Sequence, residues 1–213
     1  MTPIAHHLPD DLLADYAAGR LAEPFALVVA AHVSLCDECR AALAAQEAFG
    51  GALLETAPPV AMAPGALQAV LARAPGAAPI RVAPTPGAVL PAPLRDAVGG
   101  DLAAVRWRPV GMGVKQAVVS SGPGGSARLL SIPPGVAMPE HGHRGREVTL
   151  VLQGAYADAE GRYARGDVEA AGDDLEHTPV AEPGGPCLCL IATDAPLRFR
   201  GLIPRLLQPF IGI

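Results

Sequence analysis

GVAMPEHGHRGREVTLVLQG, residues 135–154, is the most informative string in the chain. His141 and His143 stand two apart, Glu147 follows four residues later, and Gly135 and Gly154 frame the segment. Residues two apart on a strand share a face, so both histidines are expected to point to the same side. Glu147 leads into residues 148–153, an apolar run that reads as strand. His177 is the only histidine further along the chain, so a fourth ligand would come from a distant strand. Three imidazoles and one carboxylate suit zinc, manganese, iron or nickel. A bare His-x-His would read more readily as surface histidines beside Arg144 and Arg146; the full spacing with both glycines favours a metal site.

Around this string the texture is that of a β-domain. Short apolar runs recur at residues 115–120, 127–132, 148–153, 187–193 and 197–199, separated by Gly- and Pro-rich turns. That pattern predicts an antiparallel sandwich or barrel over residues 95–213. Cys187 and Cys189 fall in one of these runs and share a face. They are redox candidates if that face lines the barrel near the metal, and inert core residues otherwise. A disulfide between them would be strained, because the i,i+2 spacing of a strand approaches the limit of disulfide reach.

Before the β-region the character changes twice. Six prolines between Pro75 and Pro93 mark residues 75–94 as an extended, semi-stiff linker. Residues 1–74 read as helical, with runs at 10–18, 23–32, 37–54 and 64–74. Residues 1–75 carry three basic residues against eight acidic ones, whereas the remainder is balanced, so the whole net charge of −5 lies in the helical third. This excludes a DNA-binding head there and allows a basic protein partner. No run is long and apolar enough to span a membrane, and no signal peptide is evident, so a cytoplasmic protein without membrane contact is expected.

Four cysteines in a reducing compartment favour metal or redox chemistry over structural disulfides. Cys36 and Cys39 form a CxxC, with His32 four residues ahead of it. One further ligand from the pair His6 and His7 would complete a tetrahedral zinc site. A thioredoxin-like redox CxxC would need a preceding strand, and none is expected; two small core cysteines are the plainer alternative.

The helical third resembles the zinc-containing anti-sigma domain, a four-helix unit with an early His followed by His-x3-Cys-x2-Cys. The resemblance rests on His32, Cys36 and Cys39, and on the stretches AAGRL at 17–21 and SLCDECR at 34–40. It implies His7 as first ligand, with His6 as runner-up, and 1:1 binding of an extracytoplasmic-function sigma factor. Residues 135–154 match the first motif of the cupin superfamily, while the region around His177 keeps the histidine but lacks the usual PxG approach and later Asn. Together the two parts resemble the ChrR-type anti-sigma factors. That resemblance implies an α+β chain in which the helical part sequesters the sigma factor. A metal-binding cupin would release it in response to singlet oxygen or related oxidants. The competing reading is a metal-dependent cupin enzyme, a dioxygenase or isomerase, with a helical zinc appendage; the departures around His177 weigh against catalysis.

Overall fold

Three helices, α1 (Asp10–Ala17), α2 (Glu23–Val33) and α3 (Asp37–Glu55), pack on one another, and α4 (Ala66–Arg73) follows. This computed structural model describes residues 3–74, 87–172, 175–196 and 198–199. Residues 75–86 of the expected linker, Asp173 and Asp174 beside the His177 motif, Leu197, and everything after Phe199 lie outside them. Pro24 sits in the first turn of α2, where its missing N–H costs nothing. Cys36 caps α3, its sulfur accepting from the Cys39 N–H at 3.4 Å.

The expected helices lie where the periodicity puts them, within two residues at each end. The four do not form one bundle, however: α4 buries none of its residues. A fifth helix, α5 (Ala92–Val98), precedes the sheets and was not expected. It fixes the end of the linker. Leu90 and Leu94 are fully buried, and the Asp101 carboxylate accepts from the N–H groups of Val89 and Leu90. Residues 87–94 are thus part of the packed structure, not an exposed spacer, because their two leucines have a core to enter.

Among the described residues twelve strands follow: β1 (Arg108–Gly111), β2 (Val114–Gly122), β3 (Gly125–Ile132), β4 (His141–Gly142), β5 (Glu147–Gln153), β6 (Ala155–Ala157), β7 (Arg162–Ala164), β8 (Val168–Ala171), β9 (Glu176–His177), β10 (Val180–Ala181), β11 (Cys187–Thr193) and β12 (Arg198–Phe199). They form a six-stranded sheet in the order β1-β2-β3-β11-β5-β8 and two three-stranded sheets, β10-β6-β7 and β12-β4-β9, all antiparallel. Gly154 makes the tight β5–β6 turn with φ +72°, and a Cβ there would stand 2.8 Å from the Pro186 carbonyl oxygen. This is why the motif ends in glycine.

The helices and the large sheet share one core. The α2 sequence EPFALVVAAHV carries no charge after Glu23 and is apolar on every side, the pattern of a helix covered all round. Phe25, Val28, Val29 and Ala31 of α2 join Leu129, Leu150, Leu188 and Leu190 of the sheet in a single buried cluster. Burial of this kind contributes roughly 1.5–3 kcal/mol for each large side chain. The linker therefore does not separate two self-contained cores. α2 is the keystone of both.

Candidate metal centres

At the sheet end, β4 and β9 pair so that His141 lies opposite His177, and Glu147 opens β5. β4 is only two residues long, so His143 lies just past it rather than on a shared strand face, yet the rings still converge. Their centroids are 4.6–5.5 Å apart in all three pairings. All four side chains are buried, and their nearest donor atoms lie within 4.8 Å of one another.

Hydrogen bonding fixes which nitrogen each ring offers. His141 donates its Nδ1–H to the Pro139 carbonyl at 2.8 Å. His177 donates its Nδ1–H to the Asp158 carboxylate at 2.8 Å, with Glu169 a further 3.4 Å contact. The two Nε2 atoms face each other at 3.1 Å: a proton on His177 Nε2 bridges them, and without it both present lone pairs. His143 Nε2 is buried without a hydrogen-bond partner. Facing lone pairs repel, and orphaned buried acceptors are costly; a cation between them removes both penalties. Two imidazole nitrogens bound to one tetrahedral ion at about 2.0–2.1 Å would be spaced much as these are. Burial lowers His141 and His143 to about 4, so both stay neutral and ligand-competent, and raises Glu147 to about 7. Burial opposes charge on His177 too, but Glu169 and Asp158 carry its pKa upward overall. Asp158 and Glu169 thus stand behind His177, holding its ring; neither carboxylate was singled out in the sequence, because both lie far from His177 along the chain.

The helical site is built in the same way. His7 Nδ1 lies 3.4 Å from Cys36 Sγ and 3.6 Å from Cys39 Sγ, with its Nε2 3.3 Å from Glu38. His32 is fully buried; its Nδ1–H donates to the Gly166 carbonyl at 2.9 Å, leaving Nε2 orphaned toward the cluster. Burial lowers His32 to about 4 and raises the Cys39 thiol to about 11, a cost that a bound divalent cation would reverse. His7, not His6, faces the thiols. His6 stacks on Tyr163 with ring centroids 4.5 Å apart.

Comparison with known proteins follows the same division. Residues 95–196 match the family of the ChrR cupin-like domain. Over 211 residues the chain is 55% identical to the anti-sigma-E factor ChrR of Cereibacter sphaeroides, covering 99% of each chain. This chain belongs to the ChrR family of anti-sigma factors. The crystal structure of Rhodobacter sphaeroides SigE in complex with the anti-sigma ChrR superimposes with a TM-score of 0.80 at 52% identity, covering 90% of this chain and 99% of that one.

In this ChrR-family chain the two centres are joined by one turn. Gly166, between β7 and β8, receives the His32 ring on its carbonyl; it has φ +95°, and a Cβ there would meet Ile4 at 2.6 Å. The next residue, Asp167, accepts from the N–H groups of Ala5 at 2.7 Å and His6 at 3.0 Å, and from Ala164 at 2.8 Å. Val168 N–H then donates to the His6 carbonyl. Two residues further along β8, Glu169 touches His177 and accepts from Tyr156 at 2.6 Å. Asp167→Ala should leave three N–H groups without their acceptor, at about 1.5–3 kcal/mol for each bond to the charged group. The expected result is that a chelator extracts the helical-site metal at least tenfold faster, with extraction from the sheet site unchanged. Asp167→Asn should fall between.

Cys187 and Cys189 are buried on β11 with their sulfurs 3.6 Å apart, and Cys189 lines the same cavity as His141, Glu147 and His177. The contact with Cys187, and then burial, holds the Cys189 thiol well above its ordinary value. Ordinary thiolate reactivity is therefore suppressed.

The buried rings also set a pH dependence. A histidine neutral when folded but protonated when unfolded withdraws stability as pH falls; His32, His141 and His143 do so between 6.5 and about 4. Glu147 and His177, both raised, add stability at low pH that is lost as pH rises through their folded values. A metal ion excludes protons from those two and removes their opposing contribution. The metal-loaded chain should therefore lose stability more steeply than the metal-free chain between about pH 7 and about pH 5, read as urea midpoints.

Proposed function

We propose that this chain is a cytoplasmic anti-sigma factor that holds an extracytoplasmic-function sigma factor 1:1 through residues 1–74. Zinc is held by His7, His32, Cys36 and Cys39, and a second metal, zinc or another divalent ion, by His141, His143, Glu147 and His177. The observation that carries this reading is an apolar surface on the helical part that nothing among the described residues covers. Phe49, Leu53 and Leu54 on α3, Val60 and Met62 after it, and Leu67, Val70 and Leu71 on α4 are all more than half exposed. Exposed apolar side chains in this number mark a protein-binding surface. The acidic excess of residues 1–75 suits a basic partner, and the similar chains, an anti-sigma-E factor and an anti-sigma bound to SigE, point to a sigma factor. Among the described residues no helix is long and apolar enough to cross a membrane.

The site's chemistry gives each part its role. The helical ion would tie the N-terminal segment and α2 to the start of α3 and so present the rest of α3 to the partner. The ion in residues 95–213, the cupin part, is the proposed sensing centre for singlet oxygen or a related oxidant, together with Cys187 and Cys189. The turn 165–167 supplies a route between the two, since it carries Glu169 on one side and seats His32 and the 4–7 segment on the other. Release by population shift follows if the altered cupin seats that segment less well. The test is a purified complex exposed to singlet oxygen without protease. Sigma release should occur with the wild type and be slowed by Glu147→Ala and by Cys187→Ser with Cys189→Ser. Equal release from all would refute the sensing role.

A further inference from the structure

The wall of the cupin interior carries a cation that neither the metal centres nor the sigma-holding surface uses. Alternate residues of β3 turn Arg128, Leu130 and Ile132 inward, paired in register with Ile191, Cys189 and Cys187 of β11. Ile191 pairs in turn with Thr149 of β5, and Thr149 with Glu169 of β8, so Arg128 stands on the same cross-strand row as the carboxylate behind His177. Between them lies a cavity of about 70 Å³ that reaches His141, Glu147 and His177. One water needs roughly 10–15 Å³ of such space, so there is room for roughly five to seven non-hydrogen atoms.

The lining is mostly apolar, through Leu130, Ile132, Met138 and Ile191. Polar groups enter it from the metal-centre side, as His141, Glu147, Glu169 and His177, and Arg128 is the guanidinium of the lining. Among the described residues its guanidinium donates to neutral groups, Nε to Ser126 Oγ at 3.2 Å and Nη1 to Gln116 Oε1 at 3.3 Å. Burial lowers its pKa, and among the described residues no carboxylate forms an ion pair with it. A half-buried cation without a counter-charge is costly, and a planar guanidinium fork matches a carboxylate in shape and charge.

We propose that the cupin cavity binds a small organic monocarboxylate with a compact apolar body. Arg128 holds the carboxylate, and Leu130, Ile132, Met138 and Ile191 enclose the body beside the His141–His177 centre. The site goes beyond the sigma-holding reading and does not rest on it; no sigma factor enters the test.

The probes are trimethylacetate, whose seven non-hydrogen atoms fill the upper end of the available space, and trimethylacetamide, its neutral counterpart of the same shape. Each is titrated calorimetrically into the full-length, metal-loaded chain. The acid should bind at least tenfold more tightly than the amide, through the charge-assisted contact. Arg128→Gln should bind acid and amide alike, and Arg128→Lys should recover part of the preference for the acid. Bound acid should also slow chelator extraction of the cupin metal and leave extraction from the helical site unchanged. Equal binding of acid and amide by the wild type, or no binding of the acid at millimolar concentration, would overturn the proposal. So would a folded Arg128→Gln that keeps the preference, since Arg128 would then serve only to hold Gln116 and Ser126. Should Arg128→Gln fail to fold, the wild-type comparison of acid with amide and the Arg128→Lys variant still decide.

Discussion

Cys36→Ala is expected to cost the chain one of two metal ions and to weaken sigma binding at least a hundredfold, about 2.7 kcal/mol. Cys36 both caps α3 and brings its sulfur to 3.4 Å from His7 Nδ1, so its loss frees the N-terminal segment and the start of α3 together. Structural zinc in small modules contributes about 10–16 kcal/mol to folding. Here α2 is also held by the sheet, so the helical part should lose its order without the whole chain unfolding. Metal analysis should give about one ion remaining, and the sheet should still melt cooperatively. A variant with both ions and unchanged sigma affinity would mean that Cys36 is a core cysteine and not a ligand.

The second large effect is expected on the exposed surface. Leu53 and Leu71 are 56% and 62% exposed, so Leu53→Glu with Leu71→Glu should leave the melting temperature of the free chain almost unchanged. Truncating a central apolar anchor in an interface typically costs about 2 kcal/mol or more, and a carboxylate adds desolvation. The double variant should therefore bind the sigma factor at least a thousandfold more weakly, measured by fluorescence anisotropy with labelled sigma. Full binding by a soluble, folded double variant would move the interface away from α3 and α4.

What the sequence discloses and what it hides follow the range of the interactions. His141, His143 and Glu147 are legible because local strand and turn geometry converts their spacing directly into convergence. His32, Cys36 and Cys39 are legible for the same reason across a helix end. The choice between His6 and His7 depends on Tyr163, whose ring takes His6, and no local pattern carries that. Asp167 looks like an ordinary turn aspartate, yet it accepts hydrogen bonds from residues 161 and 162 positions away. Asp158 and Glu169 behind His177 are hidden likewise. The docking of α2 on the sheet did leave a trace: Pro24 to Val33 is uncharged and apolar all round, which a helix covered on one side only would not be. The exposed run from Phe49 to Leu71 is the converse, since its periodicity reads as core although the described residues place nothing over it.

The decisive measurement is the stoichiometry and affinity of the full-length, metal-loaded chain for a SigE-type sigma factor, by sedimentation and anisotropy, before and after chelation of the helical-site metal. A 1:1 complex of nanomolar affinity that weakens at least a hundredfold as that one metal leaves is the predicted result. A fully metal-loaded chain that forms no complex at micromolar concentration, or one whose affinity is indifferent to the helical-site metal, would contradict it.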